Sequence, residues 1–188
     1  MGRNGTRPLK ILWASDGIFH STGYGVTTNH LTKRMAQDGH RVYCYSPGGI
    51  FGGMLDHGDG RVTLGAQYGD DRWGNQSLAY HLMMVQPDVV ITWLDAQGLI
   101  AYGWNEEPVF MWTPIDTWPV PAQEEAIYGR ANRIFVPSKW GQQVLGRQGI
   151  KADYLPCGID LKTYDISAEG RMRWRKQLRP EISGDMFL

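Results

Sequence analysis

The stretch from Arg133 to Tyr164 constrains the fold most, because it contains one complete unit of an alternating strand and helix architecture. It reads RIFVPSKWGQQVLGRQGIKADYLPCGIDLKTY: an apolar strand, a Pro-Ser turn, an amphipathic helix, a short strand and a Gly-Ile-Asp turn. Ser138 can cap the helix at its start, and Gly149 can close it. A strand, a helix and a further strand in this order predict parallel strands joined by a crossover.

The same alternation runs through the rest of the chain. Predicted strands are Leu9–Ser15, Arg41–Ser46, Arg61–Gln67, Val89–Asp95, Pro108–Asp116, Arg133–Pro137 and Ala152–Pro156. Predicted helices carry Thr27, Leu31 and Met35, then Leu78, Leu82 and Val85 after a cap at Asn75, then a segment opened by Pro119 and Pro121 and ending near Tyr128. The Gly-rich passage from Pro47 to Gly60 is predicted to be a long loop. The pattern predicts an α/β protein with a doubly wound, mainly parallel sheet of about seven strands.

Composition excludes several classes of function. The 188 residues contain 19 Lys and Arg and 19 Asp and Glu, so the net charge is zero and nothing favours nucleic acid or an anionic membrane as partner. No apolar run approaches the length of a transmembrane segment, and the polar N-terminus does not resemble a signal peptide. Cys44 and Cys157 lie far apart, which predicts buried free thiols in a cytoplasmic protein.

Four loops follow the carboxyl ends of the predicted strands, where open α/β sheets bind ligands: Asp16–Gly25, Ser46–Gly53, Asp95–Gly98 and Thr113–Pro121. In the first loop, Gly23 and Gly25 flank Tyr24 immediately before a helix. The backbone there can approach an anion, and the helix start offers free N–H groups. The loop matches neither a G-x-G-x-x-G nor a Walker A motif, and an ordinary strand-to-helix turn needs similar glycines.

Polar and aromatic side chains in these loops suggest sugar binding. Asp95 and Asp116 each end a predicted strand and can accept hydrogen bonds from sugar hydroxyls, although Asp95 can instead cap a helix. His20 is a candidate acid, base or sugar contact, or simply a solvated side chain. Trp118 is a candidate acceptor contact, because aromatic rings stack on sugars. The histidines show no metal-ligand spacing and no D-x-D pair is present, so no metal site is expected.

Several segments together resemble the N-terminal half of a GT-B glycosyltransferase of the family 4 type. They are the loop H-S-T-G-Y-G-V from His20, the passage D-G-H-R-V from Asp38, the strand end I-F-V-P-S from Ile134, and P-C-G-I-D from Pro156 followed by Tyr164. The resemblance implies one Rossmann-like half of a GT-B fold. It also implies an acceptor-side domain over residues 1–165, then a linker helix and the start of an absent C-terminal domain over residues 166–188.

The resemblance further implies a metal-independent, retaining glycosyltransferase that uses a nucleotide-sugar as donor substrate and no other cofactor. Asp116 and His20 are its candidate catalytic residues, and Asp95 and Trp118 its candidate acceptor contacts. The loop Gly23–Gly25 would approach the donor phosphates. The partners would be a sugar or glycan acceptor, the nucleotide-sugar, and a C-terminal GT-B domain in cis or in trans, without which this truncated chain is expected to be inactive.

The sequence leaves two other hypotheses about function open. A sugar-nucleotide epimerase can share the same two-domain fold. A non-catalytic half-enzyme would bind ligand or self-associate as a homodimer, through an exposed aromatic surface near Trp112, Trp118 and Trp174.

Overall fold

The computed structural model describes residues 7–67, 69–70, 72–99, 107–161 and 167–178. The chain divides into two compact units, Met1–Pro156 and Cys157–Leu188. The first contains β1 (Lys10–Ser15), α1 (Gly23–Gln37), β2 (Arg41–Phe51), β3 (Met54–Asp56), β4 (Arg61–Ala66), α2 (Asn75–Val85), β5 (Val89–Trp93), a 3₁₀ turn (Ala96–Leu99), β6 (Val109–Trp112), α3 (Ala122–Tyr128), β7 (Arg133–Val136), α4 (Lys139–Arg147) and β8 (Asp153–Tyr154). The second contains α5 (Ala168–Leu178), whose first turn is capped by Ser167.

The strands of the first unit form one eight-stranded sheet in the order β3-β4-β2-β1-β5-β6-β7-β8. Every neighbouring pair is parallel except β3 and β4. The central strand β1 pairs with β2 on one side and with β5 on the other, so the winding of the chain reverses between β1 and β5. The prediction of a doubly wound, mainly parallel sheet is confirmed.

The predicted long loop after Ser46 is wrong over part of its length. Strand β2 continues to Phe51, and β3 turns back to pair antiparallel with β4. The pairing of β2 with β4 shifts register between Ser46 and Phe51, and Gly49 within this bulge has φ +97°. A Cβ atom on Gly65 of β4 would lie 2.5 Å from the Ile50 carbonyl oxygen, so the two strands approach closely. Glycines that permit this bulge also hide the strand pattern in the sequence.

Helices cover the sheet on both faces and bury two separate apolar clusters. The larger cluster joins strand residues to α2, α3 and α4, for example through Leu82, Ile127 and Leu145. The smaller cluster lies beneath α1 and contains Ile11, Trp13, Val42, Cys44, Trp93 and Trp112. Burial on both faces explains why Ile11–Ala14 of β1 form a continuous apolar run.

The face that α1 buries differs from the predicted one. The expected stripe was Thr27, Leu31 and Met35, whereas the buried helix residues are Gly25, Thr28 and Thr32. Thr28 Oγ1 accepts a hydrogen bond of 3.1 Å from the indole Nε1 of Trp13. A buried indole N–H needs an acceptor, so threonine hydroxyls take the centre of this interface and Leu31 and Met35 pack at its side.

Helix ends follow the predictions at α4 but not at α2. Ser138 Oγ accepts from the Gly141 amide at 2.9 Å, which confirms it as the N-cap of α4. The N-cap of α2 is Gly74 rather than Asn75. The helix therefore begins one residue earlier than predicted, after a glycine whose φ is +66° and whose carbonyl accepts a hydrogen bond of 2.5 Å from the buried Tyr45 hydroxyl.

Other expectations have mixed outcomes. Cys44 is buried, and burial raises its pKa to about 11, but Cys157 is exposed, so the expectation of two buried thiols is wrong for it. Helix α3 begins after Pro121, which leaves Pro119 outside it. Within the described ranges no helix has the length and apolar character needed to cross a bilayer. The part of the expected C-terminal domain start that follows α5 lies outside the described residues.

The sheet ends in two short outer strands. β3 has three residues and β8 has two. Each carries an aspartate paired with an arginine: Asp56 with Arg41 at 2.5 Å, and Asp153 with Arg133 at 2.6 Å.

Candidate functional site

Three neighbouring strands place the predicted site loops at one edge of the sheet. Ser15 of β1 lies beside Trp93 of β5, and Trp93 lies beside Trp112 of β6. All three strands are parallel, so the loops carrying Asp16, Asp95 and Asp116 leave the same carboxyl edge. The crevice between β1 and β5 is the switch point at which open α/β sheets bind ligands.

Tyr24 joins two of these loops across the switch point. Its hydroxyl, in the first turn of α1, donates a hydrogen bond of 2.9 Å to Oδ1 of Asp95. Its ring meets Trp93 edge to face at 5.0 Å, and Trp93 in turn stacks on Trp112 at 4.0 Å. The prediction placed Tyr24 in the site for its backbone alone, and the structure adds this side-chain contact.

The loop before α1 is tightly packed at Gly25 but open at Gly23. Thr22 Oγ1 caps the helix by accepting from the Gly25 amide at 3.0 Å, and it donates to Oδ2 of Asp16 at 2.5 Å. A Cβ atom on Gly25 would meet the His20 carbonyl oxygen and lie 2.9 Å from that of Gly17, whereas one on Gly23 would touch nothing within 4 Å. Close backbone approach therefore requires glycine at position 25 only.

His20 lies against the end of β2. Its ring packs edge to face on Phe19 at 4.6 Å, and a Cβ atom on Gly49 would lie 3.2 Å from its Nε2. His20 thus connects the first and second site loops. In the part of the chain that the structure describes, no contact joins it to Asp116, the other predicted catalytic residue.

The acceptor candidates occupy different environments. Asp95 is half-buried, and its side chain accepts from Tyr24 instead of capping the 3₁₀ turn that follows. Asp116 is exposed. Trp118 is 50% exposed, with the Arg147 guanidinium 5.6 Å from its ring centre.

The expectation of an exposed aromatic surface is wrong at Trp112. Trp112 is only 4% exposed, and its Nε1 donates to the Leu155 carbonyl at 3.0 Å. Trp112 stacks on Trp93 because both rings lie on the α1 side of adjacent strands, a position that the linear sequence does not reveal.

The charged side chains at this edge of the sheet are mainly carboxylates. Burial raises the pKa of Tyr24, and its hydrogen bond to Asp95 and the charges of Asp95, Asp116 and Asp16 raise it further. Burial also raises the pKa of Glu124, with contributions from Asp95 and Asp116. The four site loops contain no Lys or Arg. Across the described ranges, no group of three His, Cys, Asp or Glu side chains is arranged to hold a metal ion.

The raised pKa values of Tyr24 and Tyr128 predict a loss of stability at alkaline pH. Above about pH 10 the unfolded chain releases these phenol protons while the folded protein keeps them, so unfolding becomes more favourable as pH rises. Tyr24→Phe removes one of the two phenols. Urea unfolding between about pH 8 and pH 11 should therefore show a smaller decline in the variant than in wild type, after a cost of about 1 kcal/mol at neutral pH for the lost hydrogen bond.

The exposed Tyr80 of α2 provides the matched control for that experiment. Tyr80→Phe should keep the wild-type decline. An unchanged decline in Tyr24→Phe would show that the Tyr24 phenol is not held protonated in the fold.

Comparison with known proteins identifies the fold. No protein-family model and no curated protein sequence matches the chain. Its structure is similar to that of a sucrose-phosphate synthase from Thermosynechococcus elongatus, with 11% identity, a TM-score of 0.53, and coverage of 91% of this chain and 99% of that chain. An α,α-trehalose 6-phosphate synthase from Burkholderia multivorans matches at 10% identity and a TM-score of 0.48, over 90% of this chain and 55% of that chain. The calicheamicin glycosyltransferase CalG4 matches at 15% identity and a TM-score of 0.41, over 77% of this chain and 42% of that chain.

The first of these similarities, at a TM-score of 0.53, shows the fold class. The chain has a glycosyltransferase-like α/β fold that corresponds to one Rossmann-like half of the GT-B architecture. At 11% identity the similarity extends to the fold alone.

Proposed function

We propose that this chain is the acceptor-side half of a retaining glycosyltransferase of the family 4 type, which transfers a sugar from a nucleotide-sugar to an acceptor. The observation that carries the proposal is the Tyr24–Asp95 hydrogen bond of 2.9 Å at the switch point. It fixes one carboxylate oxygen of a half-buried aspartate where this fold class binds ligands. In the described chain the second oxygen, Oδ2, makes no hydrogen bond, so it can accept one from a sugar hydroxyl.

Neighbouring groups complete an acceptor site in this proposal. Asp116 offers a second carboxylate from the loop that follows the adjacent strand β6, and the exposed face of Trp118 offers a surface on which a sugar ring can stack. His20 would contact the substrate from the β2 side. The site would hold the acceptor in position for attack, which is a large part of what such an enzyme contributes.

The donor side is assigned to the start of α1 and to a C-terminal domain. The amides of Gly23 and Tyr24 have no acceptor within the described residues, and a helix start favours an anion such as a donor phosphate. Because the site loops lack Lys and Arg, the cationic groups for the leaving diphosphate would come from the C-terminal domain, in cis or in trans. Residues 1–165 would form the acceptor-side domain, residues 166–188 would lead to the donor domain, and the reaction would need no metal.

Ligand-observed NMR on the 188-residue chain tests the proposal, with glucose and maltose as acceptor probes and UDP-glucose as donor probe. We expect both sugars to bind, and Asp95→Asn and Trp118→Ala each to weaken binding by about tenfold, the scale of one lost charged hydrogen bond or stacking contact. UDP-glucose should bind weakly, because the proposal assigns most of its contacts to a C-terminal donor domain.

Asp153→Asn serves as control, because Asp153 is a partly exposed carboxylate on β8, remote from the site loops in strand order. It should leave sugar binding at the wild-type level. Sugar binding that survives both site substitutions, or falls equally in the control, would contradict the assigned acceptor site.

A further inference from the structure

The site edge concentrates four carboxylates around one crevice. Asp16, Asp95 and Asp116 leave adjacent parallel strands, and Glu124 lies in the first turn of α3, which follows the Asp116 loop. Tyr24 connects this set directly, since its hydroxyl binds Asp95 at 2.9 Å. Burial and this hydrogen bond raise the pKa of Tyr24 most, and the charges of Asp95, Asp116 and Asp16 raise it further.

No cation neutralises this set within the described structure. The ion pairs found there join Arg7 with Asp88, Arg41 with Asp56, Arg61 with Asp59, and Arg133 with Asp153. None of these pairs includes a carboxylate of the site. Arg147 is the cation placed at the margin, and it lies over the Trp118 ring. The crevice therefore presents a net negative charge to whatever binds there.

Hydrogen bonds within the protein engage only part of these four carboxylates. Asp16 accepts the Thr22 hydroxyl at 2.5 Å, and Asp95 accepts the Tyr24 hydroxyl. Asp116 makes no hydrogen bond or ion pair with described residues, and Glu124 accepts only a long hydrogen bond of 3.4 Å from Tyr128. Keeping like charges together is unfavourable without a compensating ligand.

A buried indole N–H beside the crevice lacks a hydrogen-bond acceptor. Trp93, whose ring contacts Tyr24, is 5% exposed, and its Nε1 has no acceptor among the described residues. Buried donors are usually satisfied by protein, by water or by ligand oxygen. Carboxylates that need a cation or hydrogen-bond donors thus occur next to a donor that needs an oxygen.

We infer that the acceptor is an amino sugar, or a glycan presenting one, and that phosphorylated and carboxylated sugars are rejected. The ammonium group would lie between Asp95 and Asp116, and the ring hydroxyls would provide both donors and acceptor oxygens. This inference rests on the proposed function and specifies the charge of its acceptor.

Three probes of similar size and different charge test the inference: glucosamine, glucose and glucose 6-phosphate. Their affinities for the 188-residue chain can be measured by ligand-observed NMR at about pH 6, where the amine is protonated. Glucosamine should bind about tenfold more tightly than glucose, and glucose 6-phosphate should bind at least tenfold more weakly than glucose. Added salt should reduce both differences, because it screens charge.

Asp116→Asn is the main variant, since Asp116 is exposed and its replacement leaves the core intact. It should reduce the preference for glucosamine over glucose by about threefold to tenfold, while Asp153→Asn should retain it. Equal binding of glucosamine and glucose, or tighter binding of glucose 6-phosphate, would overturn the inference and leave the proposed acceptor site standing. Binding of none of the three sugars would overturn both.

Discussion

Gly25→Ala should unfold at markedly lower urea concentration than wild type, with a loss of about 3 kcal/mol. The added Cβ would meet the His20 carbonyl oxygen and lie 2.9 Å from the Gly17 carbonyl oxygen. Both obstacles are backbone atoms of the same loop, so no side-chain rotation relieves the overlap. The loop between β1 and α1 would have to move, and it carries the Thr22 cap with it.

The same substitution should also disturb the site. Gly25 follows Tyr24, so displacement of this turn would pull the Tyr24 hydroxyl away from Asp95. Sugar binding by the folded fraction of Gly25→Ala should therefore be weaker than in wild type. Ligand-observed NMR below the unfolding transition measures that effect separately from stability.

Gly23→Ala is the matched control, two residues earlier in the same turn. A Cβ atom there would touch nothing within 4 Å, and alanine is the better helix former. Its stability should equal or slightly exceed that of wild type, by up to about 1 kcal/mol. Equal destabilisation by the two substitutions would show that chain flexibility, and not the close backbone approach, determines the requirement for glycine.

Leu82→Ala should cost about 2 to 5 kcal/mol in the free energy of unfolding. Leu82 of α2 is 0% exposed and belongs to the larger apolar cluster, which strands and three helices share. Truncation removes buried methyl groups and leaves a cavity that these elements cannot close without moving. Equilibrium urea unfolding measures the loss directly.

Met83, the next residue of the same helix, tests whether burial is the cause. It is 72% exposed, so Met83→Ala should change stability by no more than about 0.5 kcal/mol. A large loss in Met83→Ala would mean that its side chain is covered in solution. A small loss in Leu82→Ala would contradict the assigned packing of α2.

The parts of the fold with strong local signals were predictable. The run Ile11–Ala14 is apolar throughout because both faces of a central parallel strand are covered. Strand β3 and the end of β2 were not predictable, because the glycines at the bulge interrupt the alternation of apolar and polar residues that marks a strand. The buried face of α1 was also missed, because Thr28 is placed there by a hydrogen bond to Trp13, which is 15 residues away.

The candidate site was likewise predictable from the sequence only in part. Asp95 and Asp116 could be placed at the carboxyl edge because strand ends and the rule for open sheets suffice. The contact between Tyr24 and Asp95 spans 71 residues and depends on β1 lying beside β5, which sequence order does not state. The burial of Trp112 depends in the same way on the pairing of β5 with β6.

The outer strands of the sheet bear on how copies of this protein could associate. With three residues in β3 and two in β8, each outer strand exposes few unpaired backbone groups. Each also carries an aspartate and arginine pair. Short, charged edges of this kind protect natural β-proteins from edge-to-edge aggregation. These edges therefore disfavour a homodimer in which the sheet continues from one subunit into the next.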